Sequence, residues 1–258
     1  MGIVNLTPDS FSDGGLFHAP KRAIEQAQRL LEEGADLLDL GAESTRPGAM
    51  PITDDQEWQR LQPVLQELLT WNVPISVDTY RAQTMRRALE MGVDIINDIW
   101  ALRQPQAQEV CVTSQAGLCI MHMHGEPTTM QSNPMAGDAV ASVSDFLKSR
   151  RDDLLQQGVH PQRIMLDPGI GFGKTVEQNF SLLARQAECC RWGPVLVGWS
   201  RKSSLGAVTG LPVQERLLPS VVAAVLAAER GASVLRVHDV AATRAGLKVW
   251  LEACKLES

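Results

Sequence analysis

No part of the 258-residue sequence stays apolar for the roughly 18 positions that a membrane-spanning helix needs. It does not open on a basic segment followed by an apolar one. The chain is therefore expected to be neither embedded nor exported. An excess of positive charge is also missing, since 24 Lys and Arg face 30 Asp and Glu for a formal net charge of −6. A broad nucleic-acid surface or an anionic membrane would require a basic field. Neither is an expected partner, and any anionic ligand must be met by a local cluster. Cysteine is sparse as well: Cys111, Cys119, Cys189, Cys190 and Cys254 show no C-x-x-C spacing. That argues against a disulfide frame and fits free thiols in the cytoplasm. Linkers, low-complexity tracts and long repeats are absent too.

What the chain does have is a regular alternation of short apolar runs with longer stretches at helical spacing, the pattern of β-α units on a parallel sheet. Eight strands are predicted, at 2–6, 36–41, 74–79, 94–99, 118–123, 164–168, 195–200 and 234–238. In the first helix Ala23, Ile24, Ala27, Leu30 and Leu31 share a face, and Gly34 stops it. Thr53-Asp54-Asp55-Gln56 opens the second as a capping box. The helix around Val221, Val222, Val225 and Ala228 is apolar nearly all round, through Ala223, Ala224 and Leu226, and is expected to be covered on more than one side, by a second subunit. Strands that read as continuous hydrophobic runs fit a closed barrel or a doubly wound sheet. Eight units without a crossover break favour an α/β fold of the (β/α)8 barrel type, a TIM barrel, in a single domain spanning residues 1–258.

Almost every strand ends on a polar residue: Asn5, Asp39, Asp78, Asn97, His122, Asp167, Ser200 with Arg201 and Lys202, and Arg236 with His238. A lone Asp at a strand end is as often a cap or a solvated loop residue. A full series in register is a ring at the C-terminal mouth, where barrel enzymes keep their chemistry. Asp78, Asn97 and Asp167 offer acceptors suited to a flat heterocycle with adjacent N–H donors. Arg46, Lys202, Arg236 and His238 offer donors suited to phosphate oxygens. His238 and Asp239 precede the last helix, whose N-terminal N–H groups would add to an anion site. The expected ligand has a donor-rich planar end and a phosphate end.

Other motifs carry less. Gly169-Ile-Gly171-Phe-Gly173-Lys174-Thr175 resembles a phosphate loop, but Pro168 stands where the first glycine of G-x-x-x-x-G-K-T belongs. His122-Met123-His124 lacks a third ligand of suitable spacing for zinc, and Cys189-Cys190 fits packing rather than redox chemistry. Trp100 and Trp199 lie close to mouth residues and would narrow the opening. The segments 7–15 and 43–48, rich in turn formers and charge, fit loops that order on an anion and exclude water.

Five segments together, Asn5-Leu-Thr-Pro-Asp-Ser-Phe-Ser-Asp-Gly-Gly15, Glu43-Ser-Thr-Arg-Pro-Gly48, Asp167-Pro-Gly-Ile-Gly-Phe-Gly-Lys174, Ser200-Arg-Lys-Ser203 and Arg236-Val-His-Asp239, resemble the signature segments of the bacterial dihydropteroate synthases, a pterin-binding family. The likeness runs in order along essentially the whole chain. It implies a TIM-barrel transferase of folate biosynthesis, a homodimer and a sulfonamide target. The implied reaction condenses 6-hydroxymethyl-7,8-dihydropterin diphosphate with p-aminobenzoate, releasing diphosphate and 7,8-dihydropteroate by an SN1-like, Mg2+-dependent displacement.

By the same resemblance Asp78, Asn97, Met121, Asp167, Phe172, Lys202 and Arg236 bind the pterin. Asn5, Arg46, Arg236 and His238 hold the diphosphate, with Asn5 also reaching Mg2+. Phe11, Thr45, Pro47 and Ser203 shape the p-aminobenzoate pocket. Asp13, Lys202, Arg236 and Asn5 are the implied catalytic set, Asp13 steadying a pterin-methyl cation. A pterin-binding homologue without synthase activity and a methyltetrahydrofolate methyltransferase are the alternatives. Intact Thr45, Lys202 and Ser203 argue against the first, and the Thr45-Arg46-Pro47 and Ser200-Arg201-Lys202 segments against the second.

Overall fold

The computed structural model describes residues 1–7, 15–44, 50–126, 129–130 and 132–255, with side chains in the first helix described from Ala19 onward. Its strands are β1 (Gly2–Asn5), β2 (Leu38–Gly41), β3 (Ile75–Asp78), β4 (Ile95–Asp98), β5 (Gly117–Met121), β6 (Ile164–Asp167), β7 (Leu196–Val197) and β8 (Val234–Leu235). β1 to β6 pair in sequence order, each parallel to the next, and β7 pairs with β8. Two parallel bridges join these sheets: Leu166 to Val195 links β6 to the β7 side, and Gly2 to Val237 links β1 to the β8 side. The second is made by Ile3 N–H donating to Val237 O at 3.0 Å and Val237 N–H to Met1 O at 3.0 Å. The sheet is thus an eight-stranded barrel, as expected.

The helices are α1 (Gly15–Glu32), α2 (Asp54–Leu68), α3 (Ala82–Met91), α4 (Ala107–Val112), α5 (Ala139–Gln156), α6 (Val176–Ala184), α7 (Ala187–Cys190), α8 (Ser203–Thr209), α9 (Leu217–Glu229) and α10 (Val240–Cys254). α1 ends where expected, two residues before Gly34, whose φ of +95° is cheap only for glycine. Thr53 and Gln56 form the expected capping box at the start of α2. Thr175 and Gln178 form a second at α6, from the same Thr-x-x-Gln pattern. The strands are shorter than the apolar runs suggested, most of all β7, because Trp199 to Lys202 fold into a turn closed by Lys202 N–H donating to Trp199 O at 3.1 Å.

Side-chain alternation sorts every strand into two faces. Val4, Leu38, Leu40, Ile75, Val77, Ile96, Leu118, Ile120, Ile164, Leu166, Val195 and Val197 point outward into the main core shared with the helices. The opposite parity lines the barrel. At its floor Met1, Cys119 and Leu196 pack with Leu37, Met165 and Val234. Near the mouth Ile99, Met121, Met123 and Met130 form a second apolar cluster with Tyr80, Trp100 and Phe172 against it. Between these layers the inward positions include Asp39, Ser76, Asp78, Asn97 and Asp167.

Thr53→Ala, which leaves the Gln56 N–H at the start of α2 without its side-chain acceptor, should lower stability by about 1 kcal/mol in urea titration.

Candidate active site

Asp39 occupies the middle of β2 and is fully buried inside the barrel. Its carboxylate accepts from Ser76 Oγ at 2.6 Å and from Arg236 Nε at 2.6 Å, with Asn97 Nδ2 at 3.4 Å. The other arm of the guanidinium, Arg236 Nη2, donates to Asp78 Oδ2 at 2.8 Å. One arginine on β8's C-terminal side therefore bridges carboxylates of β2 and β3 across the barrel. Asp39 was visible as a polar residue in an apolar strand, but the family likeness assigned it no role. Its signal was the pattern Leu-Asp-Leu, in which the central residue must face the other way from two core leucines.

The heterocycle end assembles as expected. Asp78, Asn97, Met121 and Asp167 all have inward parity, and Phe172 closes one side. Asp167 Oδ1 accepts from Gly169 N–H at 2.7 Å, and no described residue donates to Oδ2. Lys202 Nζ stands 4.4 Å from the centre of the Phe172 ring, with no described acceptor bonded to it. Burial pushes the Asp78 carboxyl up to about 7, against the opposing pull of Arg236, and Asp39 adds to the rise. Burial also raises Asp167, offset by the Gly169 N–H and by Lys202. The Lys202 ammonium is pushed down to about 8 by burial, with Asp167 acting the other way. Burial alone would lower Arg236, but Asp39 and Asp78 hold it above its ordinary value. These carboxyls are short of partners, and a ligand rich in N–H donors would supply them.

The phosphate end is less complete. Asn5 lies at the C-terminal end of β1 with inward parity. His238 Nδ1 meets Ser200 Oγ at 3.0 Å, and the His238 N–H donates to the same oxygen at 3.2 Å. At the start of α10, Ala241 N–H donates to Glu33 at 3.3 Å. Two of the N–H groups expected to face an anion are thus engaged within the protein. Ser203 is exposed as the first residue of α8, next to Lys202. Phe11, Asp13, Thr45, Arg46 and Pro47 lie outside the described residues.

Two residues of the expected ring, His122 and Arg201, do not face the mouth, and neither does Trp199, which was expected to narrow it. His122 comes just after β5 ends and turns outward, its ring edge-on to Phe146 of α5 with centroids 5.0 Å apart. Burial pushes it down to about 3, so it is neutral. Arg201 is exposed and paired with Asp239 at 2.7 Å. Trp199 has outward parity, sits in the main core and packs on Phe180 at 5.3 Å; it does not narrow the opening. Trp100 does lie in the mouth cluster. Asp98 holds it there by accepting from Trp100 N–H at 2.8 Å and Leu102 N–H at 2.7 Å.

A further residue, Arg81 just after β3, escaped the sequence reading. It bonds the Glu43 carboxylate, donates to Ile52 O at 2.5 Å and lies 3.3 Å from Glu57. It thereby ties together the two flanks of residues 44–51.

The pterin binding enzyme family matches residues 1–238. The chain belongs to that family. The dihydropteroate synthase of Haemophilus influenzae is 46% identical over 252 residues, covering 97% of this chain and 92% of that protein. Among solved structures, Burkholderia cenocepacia dihydropteroate synthase complexed with 7,8-dihydropteroate superposes with a TM-score of 0.90 at 46% identity, covering 100% of this chain and 92% of the other. Xanthomonas albilineans dihydropteroate synthase with 4-aminobenzoic acid gives 0.92 at 45% identity, covering 98% and 92%. These relatives carry the same barrel, so the TIM-barrel expectation holds for this pterin-binding chain.

Two outcomes follow from the charges. Arg236→Met strands the buried Asp39 carboxylate and should cost about 3 to 5 kcal/mol of stability; adding Asp39→Asn should recover more than half in denaturant titration. For Asp78 the folded value of about 7 lies above the ordinary 3.8, so the folded state keeps a proton that the unfolded chain releases. That stabilising contribution is complete below 3.8 and lost as pH rises through 7. Urea midpoints between pH 4 and 7.5 should fall more steeply for the wild type than for Asp78→Asn.

Proposed function

We propose that the protein is a dihydropteroate synthase, joining 6-hydroxymethyl-7,8-dihydropterin diphosphate to p-aminobenzoate with release of diphosphate. The observation that carries this reading is the inner ring itself: Asp78, Asn97 and Asp167 as acceptors, Lys202 as donor and Met121 with Phe172 as apolar walls. A pterin has a planar body that suits such walls, with amine and ring N–H groups on one edge that suit paired carboxylates. Relatives of 42–48% identity bear the same activity.

In this reading Asp167 and Asp78 accept from the pterin edge, Asn97 adds a neutral contact, and Lys202 donates to the opposite side of the ring while resting on Phe172. Arg236, shared between Asp39 and Asp78, holds the Asp78 carboxylate in place and presents its positive field toward the leaving group, together with Asn5, His238 and Arg46. Asp13 serves the developing pterin-methyl cation, stabilising charge that exists only late in the step. Phe11, Thr45, Pro47 and Ser203 form the p-aminobenzoate side. No general base is required, because the aniline nitrogen is neutral at pH 7 and attacks through its lone pair.

Mg2+ is the proposed cofactor. No group of three or more His, Cys, Asp or Glu among the described residues forms a metal cage. The amide oxygen of Asn5 on an inward strand end fits a hard cation that keeps its waters and arrives on substrate phosphates. When bound, the ion neutralises charge on the departing diphosphate.

The proposal extends to a cytoplasmic homodimer. No helix among the described residues is long and apolar enough to cross a membrane. Leu218, Val222, Val249 and Leu251 on α9 and α10 are exposed. α10 packs closely on α9, where a Cβ on Gly246 would come within 2.8 Å of Val221. The all-round apolarity of α9 thus leaves one face for a second copy.

Purified protein mixed with the dihydropterin diphosphate, p-aminobenzoate and Mg2+ should yield dihydropteroate by chromatography, and EDTA should abolish it. Clear pterin binding without product would favour the non-catalytic homologue. Asp167→Ala should weaken pterin binding by about 2 to 5 kcal/mol in calorimetry; unchanged affinity would remove Asp167 from the site.

A further inference from the structure

The segment after β6 reads Gly169-Ile-Gly171-Phe-Gly173-Lys174, and all three glycines have positive φ, at +68°, +83° and +69°. It presses onto the chain following β5. A Cβ on Gly169 would lie 1.9 Å from His122 O and one on Gly173 would lie 2.2 Å from His124 O. This curled backbone turns its carbonyls inward around one side chain. Lys174 Nζ donates to Gly169 O at 2.8 Å, Phe172 O at 3.0 Å and His122 O at 3.3 Å. Three ammonium protons meet three carbonyl oxygens, matching the donor capacity of lysine. Lys174 is 3% exposed. No carboxylate among the described residues pairs with it within ion-pair distance; the three carbonyl dipoles and the charge of nearby Asp167 oppose the cost of its burial.

The knot adjoins three residues of the proposed pterin end, Asp167, Phe172 and Lys202. Asp167 enters the loop, and its carboxylate is held by the Gly169 N–H. Phe172 leaves the loop with its ring beside Lys202 Nζ, and a Cβ on Gly171 would come within 3.3 Å of Lys202 Cδ. Asn179 of α6 reinforces the arrangement, accepting from Gly171 N–H at 2.8 Å and donating to Ser204 Oγ at 3.0 Å, one residue from the start of α8.

We infer that Lys174 is a positioning residue for the pterin half of the site: its ammonium, knotted to the carbonyls of His122, Gly169 and Phe172, sets the spacing of Asp167, Phe172 and Lys202. The inference rests on the pterin reading proposed above. A loop built from three glycines has many alternative conformations, and a single buried cation that collects its carbonyls selects one of them. Deleting the charge frees those carbonyls and lets Phe172 and Asp167 drift apart. Of the residues assigned to the arylamine side, Phe11, Thr45 and Pro47 belong to the segments after β1 and β2, and Ser203 alone adjoins a residue tied to the knot.

The test is steady-state kinetics of Lys174→Met, which keeps the apolar stem and removes the donors. The expected result is a KM for the pterin diphosphate at least tenfold higher, with the KM for p-aminobenzoate within twofold of wild type. Equal changes in both, or a loss of thermal stability with both KM values unchanged, would overturn the inference. If Lys174→Met does not fold, wild-type protein labelled with 15N-lysine decides. Burial pushes Lys174 down to about 7, so at pH 6 its Nζ should give a slowly exchanging signal. That signal should shift on addition of the pterin diphosphate and not of p-aminobenzoate; a signal indifferent to the pterin would overturn the role. Wild-type protein that neither binds the pterin diphosphate nor forms dihydropteroate would overturn the function and this role together, whereas normal wild-type turnover with an unaltered variant would overturn the role alone.

Discussion

A strand in a closed barrel has two faces and no others, one turned to the surrounding helices and one to the barrel axis. Everything distinctive here depends on that division. In β2 it puts Leu38 and Leu40 against the helices and leaves Asp39 inside; in β6 it sends Leu166 outward and Asp167 inward. The apolar residues that stabilise the fold and the polar residues that serve the ligand alternate along the same few positions, so neither set can shift by one residue without exchanging places with the other. The register that buries the core is the register that builds the site.

Placing carboxylates inside a barrel is costly, and the structure offsets only part of that cost. Asp39 is satisfied by Ser76 and Arg236. Asp78 shares the same guanidinium and remains pushed up to about 7 by burial, while Lys202 is pushed down to about 8. Acceptors that prefer a proton and a donor that would release one are groups waiting for partners. In the free protein they are a local instability, which a complementary ligand removes on binding. Here the electrostatics that weaken the fold are those that favour the substrate.

The barrel, its eight units and most of the inner ring were legible because they follow from periodicity, and the family segments named their roles. Asp39 was legible as a position but not as a partner, since only the closed sheet brings β8's arginine to β2. Arg81 left no signal for the same reason: its meaning lies in joining Glu43 and Ile52, residues far from it in sequence. His122 and Trp199 misled because polarity or nearness to a motif was taken without parity; counting alternate positions along the strand turns both outward. The pairing within the α10 start could not be anticipated, because Glu33 reaches it from the end of α1.

The barrel is not hydrogen-bonded evenly around its circumference. Six strands form one continuous ladder, whereas β7 and β8 are a two-residue pair attached on each side by an isolated bridge. The seam runs through the site: Asn5, Asp78, Asn97 and Asp167 stand on the large sheet, while Lys202, Arg236 and His238 stand on or beside the small one. A molecule seated between them would act as a cross-link between two staves of the barrel, and part of its binding free energy would appear as cohesion of the fold itself. Amide exchange in β7 and β8 would then report occupancy of the mouth, though no ligand atom touches those strands' outward faces.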